Sequence, residues 1–170
     1  MNLRVKIKRV KDVELPKYAK PGDAGFDLVA AEDVIIKPGE TKVIPTGLSF
    51  EIPPGYEMQV RPRSGMTRDT KLRVALGTID SGFRGEVGVI TDNVSIVEYA
   101  SQPRLLKGAF AGDNDFNVTK VTKYEVIKVK KGDRIAQGVI TPVLTANFVE
   151  VDELSDSERG VGGFGSTGTK

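Results

Sequence analysis

Asp80 lies in Gly77-Thr78-Ile79-Asp80-Ser81-Gly82-Phe83, a carboxylate in a glycine-bounded turn with an aromatic ring three residues behind it. An isolated Asp in such a turn ordinarily forms an Asx-turn. Its company suggests another use. A hairpin of this kind can show bare backbone donors and acceptors to a flat heterocycle, while Phe83 packs against a sugar. The run from Arg159 to Gly168 has a phosphate-binding composition: its glycines let N–H groups approach phosphate oxygens, Ser166 and Thr167 add donors, and Arg159 can fork onto a phosphate. Phe164 offers a stacking face. The same composition also suits a mobile tail. In RPRSGM, Ser64 is expected to cap one short helix over Gly65 to Lys71, and the N–H groups there could meet an anion. A plain N-cap beside a surface arginine is the simpler account of that tripeptide. Asp27 in KPGDAGFDLVA reads as a turn acid at the entry to a strand, and Gln137 in GDRIAQGVI as an exposed strand residue.

Composition narrows the chemistry further. The 170 residues contain no His and no Cys, which excludes imidazole bases, thiol nucleophiles, disulfides and thiolate zinc sites. Any reaction must rest on carboxylates, hydroxyls, amides, Arg, Lys and backbone. With 39% hydrophobic residues the chain can fill one core, so a single domain is expected. The 25 basic and 23 acidic residues leave a net charge of +2, and the basic residues are dispersed, so no nucleic-acid face is expected. The opening MNLRVKIKRV has no continuous apolar run, which predicts neither a signal peptide nor a membrane span and makes the cytoplasm the default location.

The elements that must position these residues are short strands. Leu3, Val5 and Ile7 alternate with basic residues, and the same period of two recurs at Leu48/Phe50/Ile52, Tyr56/Met58/Val60, Leu72/Val74/Leu76 and Val87/Val89. Turn clusters such as Lys37-Pro38-Gly39 and Pro53-Pro54-Gly55 separate them. Such a pattern predicts an all-β sandwich, jelly roll or barrel.

The segments AGFDL, RPRSG, GTIDSGFRG, GDRIAQGVI and RGVGGFGSTG occur in the order and wording of the motifs of the trimeric dUTP pyrophosphatase (dUTPase) family, which the chain resembles over nearly its whole length. The resemblance implies an all-β jelly-roll fold over residues 1–157, a glycine-rich lid arm over residues 158–170, and hydrolysis of dUTP to dUMP and pyrophosphate. Such an enzyme keeps uracil out of DNA and supplies dUMP for dTMP synthesis. By similarity, Asp80 is the general base for a water that attacks the α-phosphorus. Uracil would be read by the backbone around Gly77, Thr78 and Ile79. Phe83, where the family usually has Tyr, would lie under the deoxyribose. Ser64 and Gly65 would hold the phosphates with Arg63 and Gln137 in support. From the arm, Arg159 would pair with the γ-phosphate, Phe164 stack over uracil, and Gly165, Ser166 and Thr167 close around the terminal phosphate. The implied cofactor is Mg²⁺ chelated by the triphosphate, touched by Asp27 only through water. The implied assembly is a homotrimer with sites shared between subunits.

A rival on the same fold is dCTP deaminase, including bifunctional forms. Those resemble the chain at the Arg-Ser start of the second motif and at Arg68, but have a second Ser where Gly65 stands and a catalytic Glu where this chain has Ile90. A regulatory binding protein with a retained nucleotide pocket is another class of reading. The stretch 94–121 exceeds the family pattern by roughly 25 to 30 residues, beyond ordinary loop lengths. Some phage-encoded members look similar here, and the insert could be an ornamental hairpin or a docking element for a protein partner.

Overall fold

The computed structural model describes residues 3–95 and 125–162. The strands are β1 (Lys6–Arg9), β2 (Phe26–Val29), β3 (Val34–Ile36), β4 (Thr41–Pro45), β5 (Leu48–Glu51), β6 (Tyr56–Pro62), β7 (Leu72–Val74), β8 (Gly77–Ile79), β9 (Gly88–Asn93), β10 (Ile127–Val129) and β11 (Arg134–Pro142). A single helix, α1 (Ser64–Asp69), interrupts them among the described residues. The strands form a four-stranded sheet in the order β2-β11-β6-β8, a three-stranded sheet β4-β9-β7, and two-stranded pairs β1-β5 and β10-β3. Every pairing is antiparallel. This is an all-β architecture, as the alternating sequence predicts, and of the forms that pattern left open it is the jelly roll that the family resemblance implies.

Alternation places the core. Leu48, Phe50 and Ile52 are all buried, as are Met58 and Val60, although Ser49 between the first two is buried as well and Leu3 and Leu76, also in the predicted alternation, are exposed. Phe26 and Leu28 from β2, Ile135 and Ala136 from β11, Ile44 from β4 and Val89 from β9 complete one cluster between the sheets. Gly55 turns the chain into β6 with φ +81°, a conformation that glycine adopts without steric cost.

Three expectations need correction. Ser64 does not cap the helix: it is the first helical residue, Arg63 occupies the cap position in an extended conformation without a side-chain capping bond, and the helix ends at Asp69. GTIDSGFRG is not a hairpin, because β8 pairs with β6 while β9 pairs with β4 and β7, so the turn crosses from one sheet to the other. Asp27 is not a turn acid but lies within β2.

Beyond β11 the chain changes character. The Val143 N–H donates to the Gly55 carbonyl at 2.8 Å, after which Leu144, Phe148 and Leu154 are 97%, 93% and 89% exposed. Of the stretch 94–121, only Val94 and Ser95 fall within the described residues. The Val94 N–H donates to the Lys71 carbonyl, and Ser95 is buried with its N–H on the Asn93 side chain. The buried Asn93 amide also donates to the carbonyls of Ile36 and Glu125, tying both feet of that stretch to one point.

Candidate active site

One group of expected site residues gathers at the far end of β6. Pairing of β2 and β6 on either side of β11 puts Asp27, Gln137 and Arg61 in one row across the sheet. Directly opposed residues in antiparallel strands share a face. Gln137 is half-buried rather than exposed, with its Oε1 against Gly25, where a Cβ would lie 3.0 Å away. Just past β6, Arg63 reaches back to Asp27, with Nε 2.8 Å from Oδ1, and its Nη1 donates to the Arg134 carbonyl at 3.1 Å. Arg134 Nη1 lies 3.5 Å from the other carboxylate oxygen. Asp27 thus holds two guanidiniums, and the cluster keeps one positive charge in excess beside the exposed Ser64 and Gly65. Arg134 had been visible only as a letter inside GDRIAQGVI; its role emerges from the irregular register between Arg134 and Ala136, which no local pattern signals.

A second group sits at the near end. β8 is an edge strand, bonded to β6 on one side, so its other side offers unpaired backbone N–H and C=O groups along Gly77, Thr78 and Ile79. Asp80 follows immediately. The turn after it is closed backbone to backbone, Phe83 N–H to the Asp80 carbonyl at 3.0 Å, which leaves the exposed carboxylate out of the turn's own bonding. Arg84 Nη1 donates to the carbonyls of Ser81 at 2.7 Å and Phe83 at 2.9 Å. The Phe83 ring is 43% exposed and lies directly above Gly85.

The chain does not bring these groups together. Met58 opposes Ile79, so Asp80 falls level with Glu57 near the start of β6, while Ser64 lies beyond its end. At the rise of about 3.4 Å per extended residue, the two are about 20 Å apart. A cleft of about 270 Å³ is lined by apolar residues including Val5, Ile7 and Phe50, one of about 320 Å³ includes Arg84 beside Glu51 and Pro53, and one of about 720 Å³ lies between Arg9 and Lys131; Asp80 and Ser64 line none of these three. Arg159 is exposed in a turn, its Nε donating to the Gly162 carbonyl at 3.0 Å. Phe164, Gly165, Ser166 and Thr167 lie outside the described residues.

A divalent ion fits this site only in an outer role. No group of three or more acidic ligands able to hold a metal occurs among the described residues. The Oδ1 of Asp27 is taken by Arg63, but Oδ2 has only the long contact to Arg134 and can accept from a water. Mg²⁺ is commonly held by one or two carboxylates with its waters and substrate phosphates, and this donor set is compatible with that pattern. At Ile90, the position that distinguishes the deaminase rival, an apolar side chain pairs with Val43 across the β4-β9 ladder of the three-stranded sheet.

Comparison with known proteins agrees with the fold. The dUTPase family model matches residues 11–107 and 107–168. A deoxyuridine 5'-triphosphate nucleotidohydrolase of Nautilia profundicola is 45% identical, covering 98% of this chain and 99% of its own. Among solved structures, a variant dUTPase of Staphylococcus bacteriophage 80alpha with dUpNHpp superposes with a TM-score of 0.78 at 33% identity, covering 97% of this chain and 98% of the other. A variant dUTPase from phage phi11 of S. aureus, described as coordinating a structural Mg(II) ion, gives a TM-score of 0.73 at 28% identity over 90% and 99% of the chains. By its motifs, its fold and these similarities along nearly its whole length, the chain belongs to the dUTPase family.

Proposed function

We propose that this protein is a dUTP diphosphatase that hydrolyses dUTP to dUMP and pyrophosphate, keeping uracil out of DNA and supplying dUMP for dTMP synthesis. The observation that carries this reading is the free edge of β8 running straight into an exposed carboxylate. Backbone amides at Gly77 to Ile79 can pair with the edge of uracil and reject cytosine, whose donor and acceptor positions are exchanged. The next residue, Asp80, accepts the proton of the water attacking the α-phosphorus, and pyrophosphate leaves on the opposite side. Phe83 packs under the deoxyribose.

The phosphates are held by the Ser64 hydroxyl, the Gly65 N–H and the Gln137 amide, with Arg63 kept in place by Asp27. When bound, Mg²⁺ would offset the charge of the triphosphate, with Asp27 the residue that would hold its waters. The arm over residues 158–170 closes the site: Arg159 pairs with the γ-phosphate, Phe164 stacks over uracil, and Gly165, Ser166 and Thr167 surround the terminal phosphate. The working unit is a homotrimer. The span of about 20 Å between Asp80 and Ser64 in one chain supports that reading, because a second copy must bring the missing half.

Incubation with each deoxynucleoside triphosphate and Mg²⁺, followed by product identification, tests the reading. Pyrophosphate and dUMP from dUTP alone are expected. Release of ammonia from dCTP would establish the deaminase instead.

A further inference from the structure

We propose that Gly85 is a specificity-determining position and Arg84 a positioning residue: together they seat the Phe83 ring at the height that separates deoxyribose from ribose. This rests on the reading that Phe83 lies under the sugar. A Cβ added at Gly85 would lie 2.5 Å from Phe83 Cζ, 3.0 Å from Cε2 and 3.3 Å from Cε1, so the ring rests directly on the bare glycine backbone. Those separations are far below carbon van der Waals contact, and any side chain at residue 85 must lift the ring. The ring is partly exposed and can swing outward without disturbing the core.

Arg84 fixes the other end of the same device. One guanidinium nitrogen holds the carbonyls of both Ser81 and Phe83, and the Phe83 N–H closes on the Asp80 carbonyl. The backbone that carries the ring is therefore the backbone that aims the Asp80 carboxylate. Ring height and base position are set by one turn, with glycine as floor and arginine as brace. A hydrophobic surface alone rejects an added hydroxyl only modestly, so its exact height matters for the ratio of dUTP to UTP turnover.

The test compares kcat/KM for dUTP and UTP, with Mg²⁺, in the full-length wild-type protein and in variants. Gly85→Ala should lower the dUTP/UTP ratio by about tenfold or more, the scale on which a methylene-sized change alters discrimination. Arg84→Ala should lower kcat for dUTP more than it raises KM, and Arg84→Lys should restore part of the loss by keeping a cationic donor at similar reach. A well-folded Gly85→Ala protein with an unchanged ratio overturns the proposal. If Gly85→Ala does not fold, the pair Phe83→Ala with Gly85→Ala decides: removing the ring removes the clash, so restored folding with lost discrimination supports the seat, and continued misfolding overturns it. Wild-type protein that turns over no dUTP defeats the underlying functional reading and leaves the seat as a packing fact, a result separable from the others.

Discussion

The two ends of β6 hold their functional residues by different means. At the far end Asp27 of β2, Arg63 just past β6, and Arg134 and Gln137 of β11 are joined by ladder bonds and ion pairs. At the near end Gly77 to Phe83 occupy an edge strand and one turn, held by backbone bonds and Arg84. The contrast separates two tasks: a phosphate chain is recognised by charge, which tolerates small displacements, whereas a base and sugar are recognised by shape and donor order, which do not. On the proposed function, the end that holds phosphates is cross-braced, and the end that reads base and sugar is a free edge.

The comparison is broken most severely at the near end. Asp80→Asn should lower kcat by about 10²–10⁴ while leaving dUTP affinity near wild type, because the amide keeps the shape and cannot accept the proton. Single-turnover rates alongside calorimetric binding check this, and near-normal turnover would remove Asp80 from the role. Mixing sharpens it. If the ends meet only between copies, subunits carrying Asp80→Asn and subunits carrying Ser64→Ala, refolded together, should regain activity in about a quarter of their sites, since each site then draws one good half from each parent. No recovery would place both halves in a single chain.

Smaller effects follow from the arm and the insert. Truncation after Ser157 should leave the body folded by circular dichroism and assembled by sedimentation, yet cripple hydrolysis. Full activity in that protein would exclude the arm from the site. Phe164→Ala should raise KM by an amount equivalent to about 1–3 kcal/mol, the range for stacking on one base. The least change is expected on replacing residues 96–121 with a short turn, which spares Asn93, Val94 and Ser95 and should preserve trimer and rate. A large fall in melting temperature would make that stretch part of the core. If stability survives, pull-down from the native host with and without the stretch shows whether a protein partner depends on it.

Much of the body was legible where alternation and burial coincide, as at Leu48/Phe50/Ile52 and Met58/Val60, and less so at Leu72/Val74/Leu76, where Leu76 is exposed. What failed was the joining of distant segments. Asp27 sits just after the turn-forming Pro21-Gly22-Asp23, and local signals cannot reveal that β2 has already begun or that its partner is Arg63. Consecutive strands usually pair, so the turn after Asp80 read as a hairpin, whereas β8 and β9 enter different sheets. Ser64 was mistaken for a cap because capping preference is statistical, while the extended backbone of Arg63 is set by continuity with β6. The motifs themselves were readable as words, but their division between two ends of one strand was not.

The exposed segment after β11 bears on how this protein behaves on dilution. Leu144, Phe148 and Leu154 present nearly their full surfaces to solvent in the single chain, and burying such side chains is worth about 1.5–3 kcal/mol each. If neighbouring copies provide the cover, folding stability and association are linked by mass action, and the melting temperature rises with protein concentration. Specific activity then becomes a function of how much enzyme is present: a stock diluted far enough loses rate faster than it loses molecules, and recovers it on reconcentration.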